Sequence, residues 1–216
     1  MSCNRESHNP VNKSFDVTGF KKIVAGDDHE IIITTGAAFS IQTRGEKSDL
    51  EDLRMVVTNG TLKIDYPYYD GNRKRVHIYI TMPQLISAEF SGSSYGTVTG
   101  FQQQVNFSIN LTGSSKFTVT NNAPLIDADI SGTSVLTLNG MAGSIVANVS
   151  GQSTYNGYGL VDTDNAIIKT TGHSHVYVNV NKAFTVTASG QSKIYYKGNP
   201  ETKNLAIGDM SELVKQ

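Results

Sequence analysis

The chain predicts an all-β solenoid, a right-handed parallel β-helix or β-roll of about six coils, each ~20 residues long. Three observations lead there. A [Ser/Thr]-Gly-x-Ser motif recurs six times, with its glycines at Gly92, Gly113, Gly132, Gly151, Gly172 and Gly190 and spacings of 21, 19, 19, 21 and 18 residues. Apolar and other residues alternate on both sides of the motif, which is the period of a strand. The same residue types stand at the same offsets in successive units. Hairpins do not require that, but a parallel stack does, because equivalent positions then lie ~4.8 Å apart on neighbouring coils. The hand follows from the strong right-handed bias of parallel crossovers.

Taken in order, residues 1–14 read as a disordered polar tail with no apolar period. Residues 15–83 form an N-terminal β segment. FDVTGF, KKIVAG, EIIIT and FSIQT are short strands broken by Gly and Asp. EKSDLEDLRMVV reads as a brief helical turn or a strand. Asn59-Gly60 is a turn signal ahead of a strand in which Leu62 and Ile64 alternate with polar neighbours. PYYDGNRKR is a loop around Asp70-Gly71, and Val76, Ile78 and Ile80 share one strand face before Pro83 closes the segment. This part extends or caps the first coil.

Residues 84–198 are the repeat solenoid. Two, four and six residues before each motif glycine, 17 of 18 side chains are apolar, and the exception is Thr170. Each unit is therefore a strand, a Gly-centred corner, a second strand and a variable loop. Ser94, Ser115, Ser134, Ser153, Ser174 and Ser192 keep the inward phase and should bond to one another or to the backbone. The glycines share that inward phase and let the corner bend tightly. An outward ladder runs Thr97, Thr118, Thr137, Asn156, Tyr177, Tyr195. Residues 199–216 cap the last coil, because open strand edges need protection. The whole is one continuous domain.

Composition narrows the function. The chain has 216 residues and carries 18 Lys+Arg against 19 Asp+Glu, a net charge of −1. That excludes the concentrated basic field of a nucleic-acid binder. No apolar run reaches a membrane-spanning length, and no signal peptide is visible. Cys3 is the only cysteine, so no internal disulfide forms. It is either a plain tail residue or the lipidation site of a lipoprotein. A Cys, a short polar spacer and then a folded domain is how such a mature terminus looks.

The opening FDVTGFKKIVAGDDHEIIITTG, the NGTLKIDY strand, the VHIYITMPQL stretch and the SGSSYGTVTG-type repeats resemble the head GIN domain family of auto-transporter adhesins from Bacteroidetes-type bacteria. The similarity spans roughly Phe15 to Gly198. It implies a parallel β-helix-like fold, export or lipoprotein signals, a cell-envelope or extracellular location with a lipid anchor as one form of it, and an adhesin-like role without enzymatic activity. No functional residues come with it.

Candidate chemistry can be weighed residue by residue. Glu89, Asn110, Asp129, Asn148, Lys169 and Thr187 make one outward column, with Asp127 on the same face. Glu89 and Asp129 would lie two rungs apart, about 9–10 Å. That is the upper end of the range for an inverting carboxylate pair. Yet Asn110 intervenes and no Arg or Lys sits beside them for an anionic sugar, so a solvated or Ca²⁺-tolerant face is the plainer reading. His173 and His175 point to one side, but a metal site needs a third ligand, and only His77, Asp162 or Asp164 offer themselves. Neither a metal nor a cofactor is expected. The motif serines lack a recurring base, which makes them structural. Tyr177 and Tyr195 face outward, whereas Tyr155 and Tyr196 face the core. Exposed tyrosines stack on sugars and anchor protein partners. The Arg73-Lys74-Arg75 run reads as a solvated loop.

The first functional expectation is a non-enzymatic surface module that binds a cell-surface glycan or protein through a flat face. Its candidate ligand residues are Tyr177, Tyr195, Glu89, Asp127 and Asp129. The second is a structural module that self-associates as a homo-oligomer. The third is a carbohydrate-active β-helix enzyme.

Overall fold

A computed structural model describes residues 6–102, 105–208 and 210–216. Its N-terminal part contains β1 (Val11–Phe15), β2 (Lys22–Ala25), β3 (His29–Thr35), β4 (Ser40–Gly45), helix α1 (Lys47–Asp52), β5 (Arg54–Thr58), β6 (Thr61–Asp65) and β7 (Val76–Met82). The repeat contains β8 (Ser87–Phe90), β9 (Tyr95–Gln102), β10 (Phe107–Leu111), β11 (Lys116–Ile130), β12 (Val135–Val149), β13 (Thr154–Val161), β14 (Asn165–Thr170), β15 (His175–Asn179), β16 (Ala183–Ala188) and β17 (Lys193–Lys197). β18 (Thr202–Ile207) and β19 (Glu212–Lys215) follow. Among the described residues no helix is long and apolar enough to cross a membrane.

The strands stack in parallel and in register. Ile109 pairs with Ala88 on one side and Ala128 on the other, and Phe117 pairs with Gly96 and Leu136. Six motif-bearing coils follow one another from β8–β9 to β16–β17. Of the 18 inward positions before the motif, 17 are buried, and only Ile86 is half-exposed. Neighbouring rungs exchange volume: Gly96 leaves room beside Phe117, whose ring stacks on Phe90 at 3.8 Å.

The ends differ from each other. β2–β3 pairs in parallel with β8–β9 and, on its other side, with β6–β7. Antiparallel strands then close that end, β5 on β6, and β4 on β7 with β1 beyond it. The predicted tail thus becomes ordered earlier than expected: β1 begins at Val11 because β4 offers it a free edge and Phe15 lies opposite Ile41. EKSDLEDLRMVV resolves into α1, which buries Leu50, followed by β5. At the other end β18 and β19 continue the parallel stack rather than folding over it, and every residue of β18 is exposed.

The corner corrects one expectation. The serines are inward, all six fully buried. The glycines are not: they sit at exposed or half-exposed turns with φ between +72° and +79°. The left-handed turn breaks the alternation for that residue and then restores it at the serine. Four serine hydroxyls donate to the carbonyl three residues back, as Ser115 does to Thr112 O at 2.8 Å. Ser174 and Ser192 also meet across coils at 3.2 Å.

Candidate functional site

The register assembles both outward columns as the sequence orders them. On the strands after the corner, Thr97, Thr118, Thr137, Asn156, Tyr177 and Tyr195 stand on successive rungs. The tyrosine end is a built surface. Tyr177 and Tyr195 stack with ring centres 5.1 Å apart and planes only 10° apart. Tyr158 meets Tyr177 edge-on at 5.4 Å, and Lys197 Nζ lies 4.4 Å from the Tyr158 ring centre. The Tyr158 hydroxyl donates to Gln216 Oε1 at 2.9 Å. Its pKa is pushed up, first by burial and then by Tyr177 and Tyr195. Tyr158 stands two residues after Asn156 on β13, in the same outward phase, and the single offset that defines the column does not include it. Tyr155 and Tyr196 are in the core as expected. At the far end of the same face a groove of about 260 Å³ runs past Ile32, Tyr95, Thr97, Lys116 and Thr118.

The strands before the corner carry the acid column, with Glu89, Asn110, Asp129, Asn148 and Lys169 on consecutive rungs. Asn148 Nδ2 donates to Asp129 Oδ1 at 2.7 Å. Burial, and then the charge of Asp129, pushes the Asp127 carboxyl up. Asn110, Asp129, Asn148 and Lys169 line a shallow groove of about 450 Å³. Lys169 places a cation at one end of this groove, two rungs beyond Asp129 and with Asn148 between them.

The histidines do not converge. His173 is exposed and His175 half-buried, while His77 lies in β7, hydrogen-bonded to Glu30 and to Glu6 at 3.1 Å. Asp164 is held by Lys182 at 2.7 Å. Among the described residues no group of three or more His, Cys, Asp or Glu side chains is placed to hold a metal ion. Cys3 lies outside the described residues.

The basic run also departs from its reading. Arg73 is largely buried, bridging Asp52 at 3.0 Å and Asp49 at 3.5 Å and lying over the Tyr66 ring at 3.9 Å. Arg75 bridges Asp28 at 3.0 Å and Glu6 at 2.8 Å. Only the acidic partners, which the local sequence does not reveal, turn this run from a solvated loop into an anchor.

Known proteins resemble the chain over nearly its full length. A family profile described as "Putative auto-transporter adhesin, head GIN domain" matches residues 19–200. A crystal structure of a "putative adhesin" from Bacteroides fragilis superposes with a TM-score of 0.83 at 17% identity, covering 97% of this chain and 98% of that one. A "putative lipid binding protein" from Parabacteroides distasonis superposes at 0.74 with 14% identity, and a "putative adhesin" from Parabacteroides merdae at 0.69 with 12%; each alignment covers 98% of both chains. At such identities the likeness is one of fold. No curated protein matches.

Proposed function

From its membership of the head GIN domain family of auto-transporter adhesins, to which this chain belongs, we propose that it is a non-enzymatic surface module that holds a glycan along its tyrosine column. One observation carries the reading: Tyr177 and Tyr195 present a stacked pair of rings in line with a straight, register-locked ladder. The faces that Tyr177 and Tyr195 turn to each other are taken up in the stack, so the pair offers a glycan its outward ring edges and hydroxyls, rigid groups that lose little conformational freedom on binding. The β-sheet beneath holds them rigid, as a binding platform requires. A glycan array tests this. The Tyr177→Ala/Tyr195→Ala variant should bind its best glycan at least tenfold more weakly while its circular dichroism stays unchanged. Undiminished binding overturns the reading.

The acid column supports binding rather than hydrolysis. Asn110 separates Glu89 from Asp129, and Asn148 occupies the Asp129 carboxylate. The expected outcome is no release of reducing ends from glycans that bind. Release that disappears in Asp129→Asn makes the protein an enzyme instead. Envelope attachment is read onto Cys3: expressed behind a lipoprotein export signal, the chain should reach the membrane fraction and its Cys3→Ser variant should not.

Self-association is favoured by a separate observation. Leu205, Ile207, Met210 and Val214 are exposed at the bare end of the stack, beside the unpaired edges of β18 and β19. Light scattering should show a concentration-dependent dimer that Leu205→Lys abolishes. A monomer at every concentration removes this second reading.

A further inference from the structure

The first strand pair departs from the others at the corner. In six coils a four-residue motif carries the chain round. β2 and β3 turn as tightly, with Asp27 in the place of the motif glycine. Its φ is +63°, and its carbonyl accepts from Ser93 N at 2.7 Å, as Gly92 O accepts from Ser114 N at 2.8 Å. His29 then holds the place of the buried serine. Between β6 and β7 the same connection runs from Tyr66 to Arg75. Insertions into a repeat commonly build the binding loops of a solenoid. This one lies against the Asp27 corner and encloses a pocket of about 240 Å³ between Asp27, His29, Tyr66, Tyr68, Tyr69 and Arg73.

The loop is held firmly. Besides the bridges of Arg73, the Tyr68 hydroxyl donates to Asp52 at 2.6 Å and Lys74 N donates to Asp49 at 2.8 Å. Hydrogen-bonding capacity is left over inside. His29 is 1% exposed, and neither of its ring nitrogens has a partner in the protein. The buried Tyr66 hydroxyl has none either. Such groups cost about 1–3 kcal/mol each when nothing satisfies them, and a native protein keeps them where something does. At the rim, Tyr69 is 92% exposed and Tyr68 57%, offering ring faces. Arg73 is already neutralised by Asp49 and Asp52, and Asp28 by Arg75. Of the other charged lining residues Asp27 and Asp70 outnumber Lys74, which leaves the edge acidic by one charge and disfavours anionic ligands. The volume falls below the roughly 300–1,000 Å³ of drug-sized sites and suits a single ring.

We propose that this pocket is a second binding site, which takes one uncharged pyranose residue of a glycan: the tyrosine rings cover its C–H face, and Asp27, His29 and Tyr66 exchange hydrogen bonds with its hydroxyls. The site stands apart from the tyrosine column, at the other end of the stack, and either can fail without the other. The test titrates the full chain with glucose, galactose, mannose, N-acetylglucosamine and sialic acid, following the His29 ring signals by NMR. At least one neutral sugar should shift them, and sialic acid should not. Asp27→Asn, which keeps a residue that tolerates the left-handed turn, and Tyr69→Ala, at an exposed position, should each weaken binding about tenfold or more. Tyr177→Ala/Tyr195→Ala should leave it unchanged. No shift with any neutral sugar, preferential binding of sialic acid, or full affinity in both pocket variants overturns the proposal.

Discussion

Replacing Gly132 by alanine would put a Cβ 2.3 Å from the carbonyl oxygen of Gly113, at a residue whose φ is +79°. The left-handed backbone alone costs a non-glycine residue about 1–3 kcal/mol, and the carbonyl below it belongs to the stacking ladder and cannot retreat. Urea unfolding of Gly132→Ala should show a loss of at least about 2 kcal/mol. Ser134→Ala at the same corner removes only a hydroxyl and should cost about 1 kcal/mol. Equal losses would mean that the corner is not set by its glycine. His29 makes a second residue-scale prediction. Burial, opposed weakly by Asp28, lowers its pKa from 6.5 to about 4. The unfolded histidine takes up a proton near pH 6.5, whereas the folded one resists until about pH 4. The unfolded state therefore binds more protons across that window, and stability falls as pH drops through it. Between pH 7 and pH 5 the His29 contribution to that fall should be about 2 kcal/mol, read as the difference between the wild type and His29→Phe. Parallel curves would show that His29 takes up its proton at the same pH in the folded and the unfolded chain.

At the scale of the strand, alternation was legible and connection was not. The inward triplets before each motif and the outward ladder from Thr97 to Tyr195 could be read from offsets alone, because a parallel in-register stack turns sequence period directly into spatial column. Tyr158 was missed because the ladder was counted at a single offset from the motif glycine, whereas Tyr158 stands two residues further along β13 in the same outward phase. The glycines were placed on the wrong side because period-two counting assumes extended backbone, and the motif turn is not extended. The Tyr66–Arg75 connection was read as solvent-facing because the carboxylates that hold it, Asp49 and Asp52 of α1, Asp28 and Glu6, come from three other places in the chain. β1 was hidden for the same reason: its three central residues, Asn12, Lys13 and Ser14, are polar, and only the free edge of β4 makes them a strand. Deleting residues 1–15 should therefore uncover β4 and promote aggregation, seen as earlier precipitation on heating. Unchanged heating behaviour would mean that β1 protects nothing.

For the molecule as a whole, the two ends are unlike. Antiparallel strands close the N-terminal end, while β18 and β19 form the last described rung at the other and leave apolar side chains exposed. A solenoid depends on such caps because each coil is stabilised mainly by its neighbours. Two long faces run between these ends, one acidic and amide-rich, the other passing from a groove at Ile32 to the tyrosine platform. The second is the face assigned to ligand. NMR mapping of the isotope-labelled protein, titrated with the tightest glycan from the array, tests that assignment most directly. Shifts should gather at Asn156, Tyr158, Tyr177, Tyr195 and Lys197. Shifts gathered instead at Glu89, Asp127 and Asp129, or along β18 and β19, contradict it.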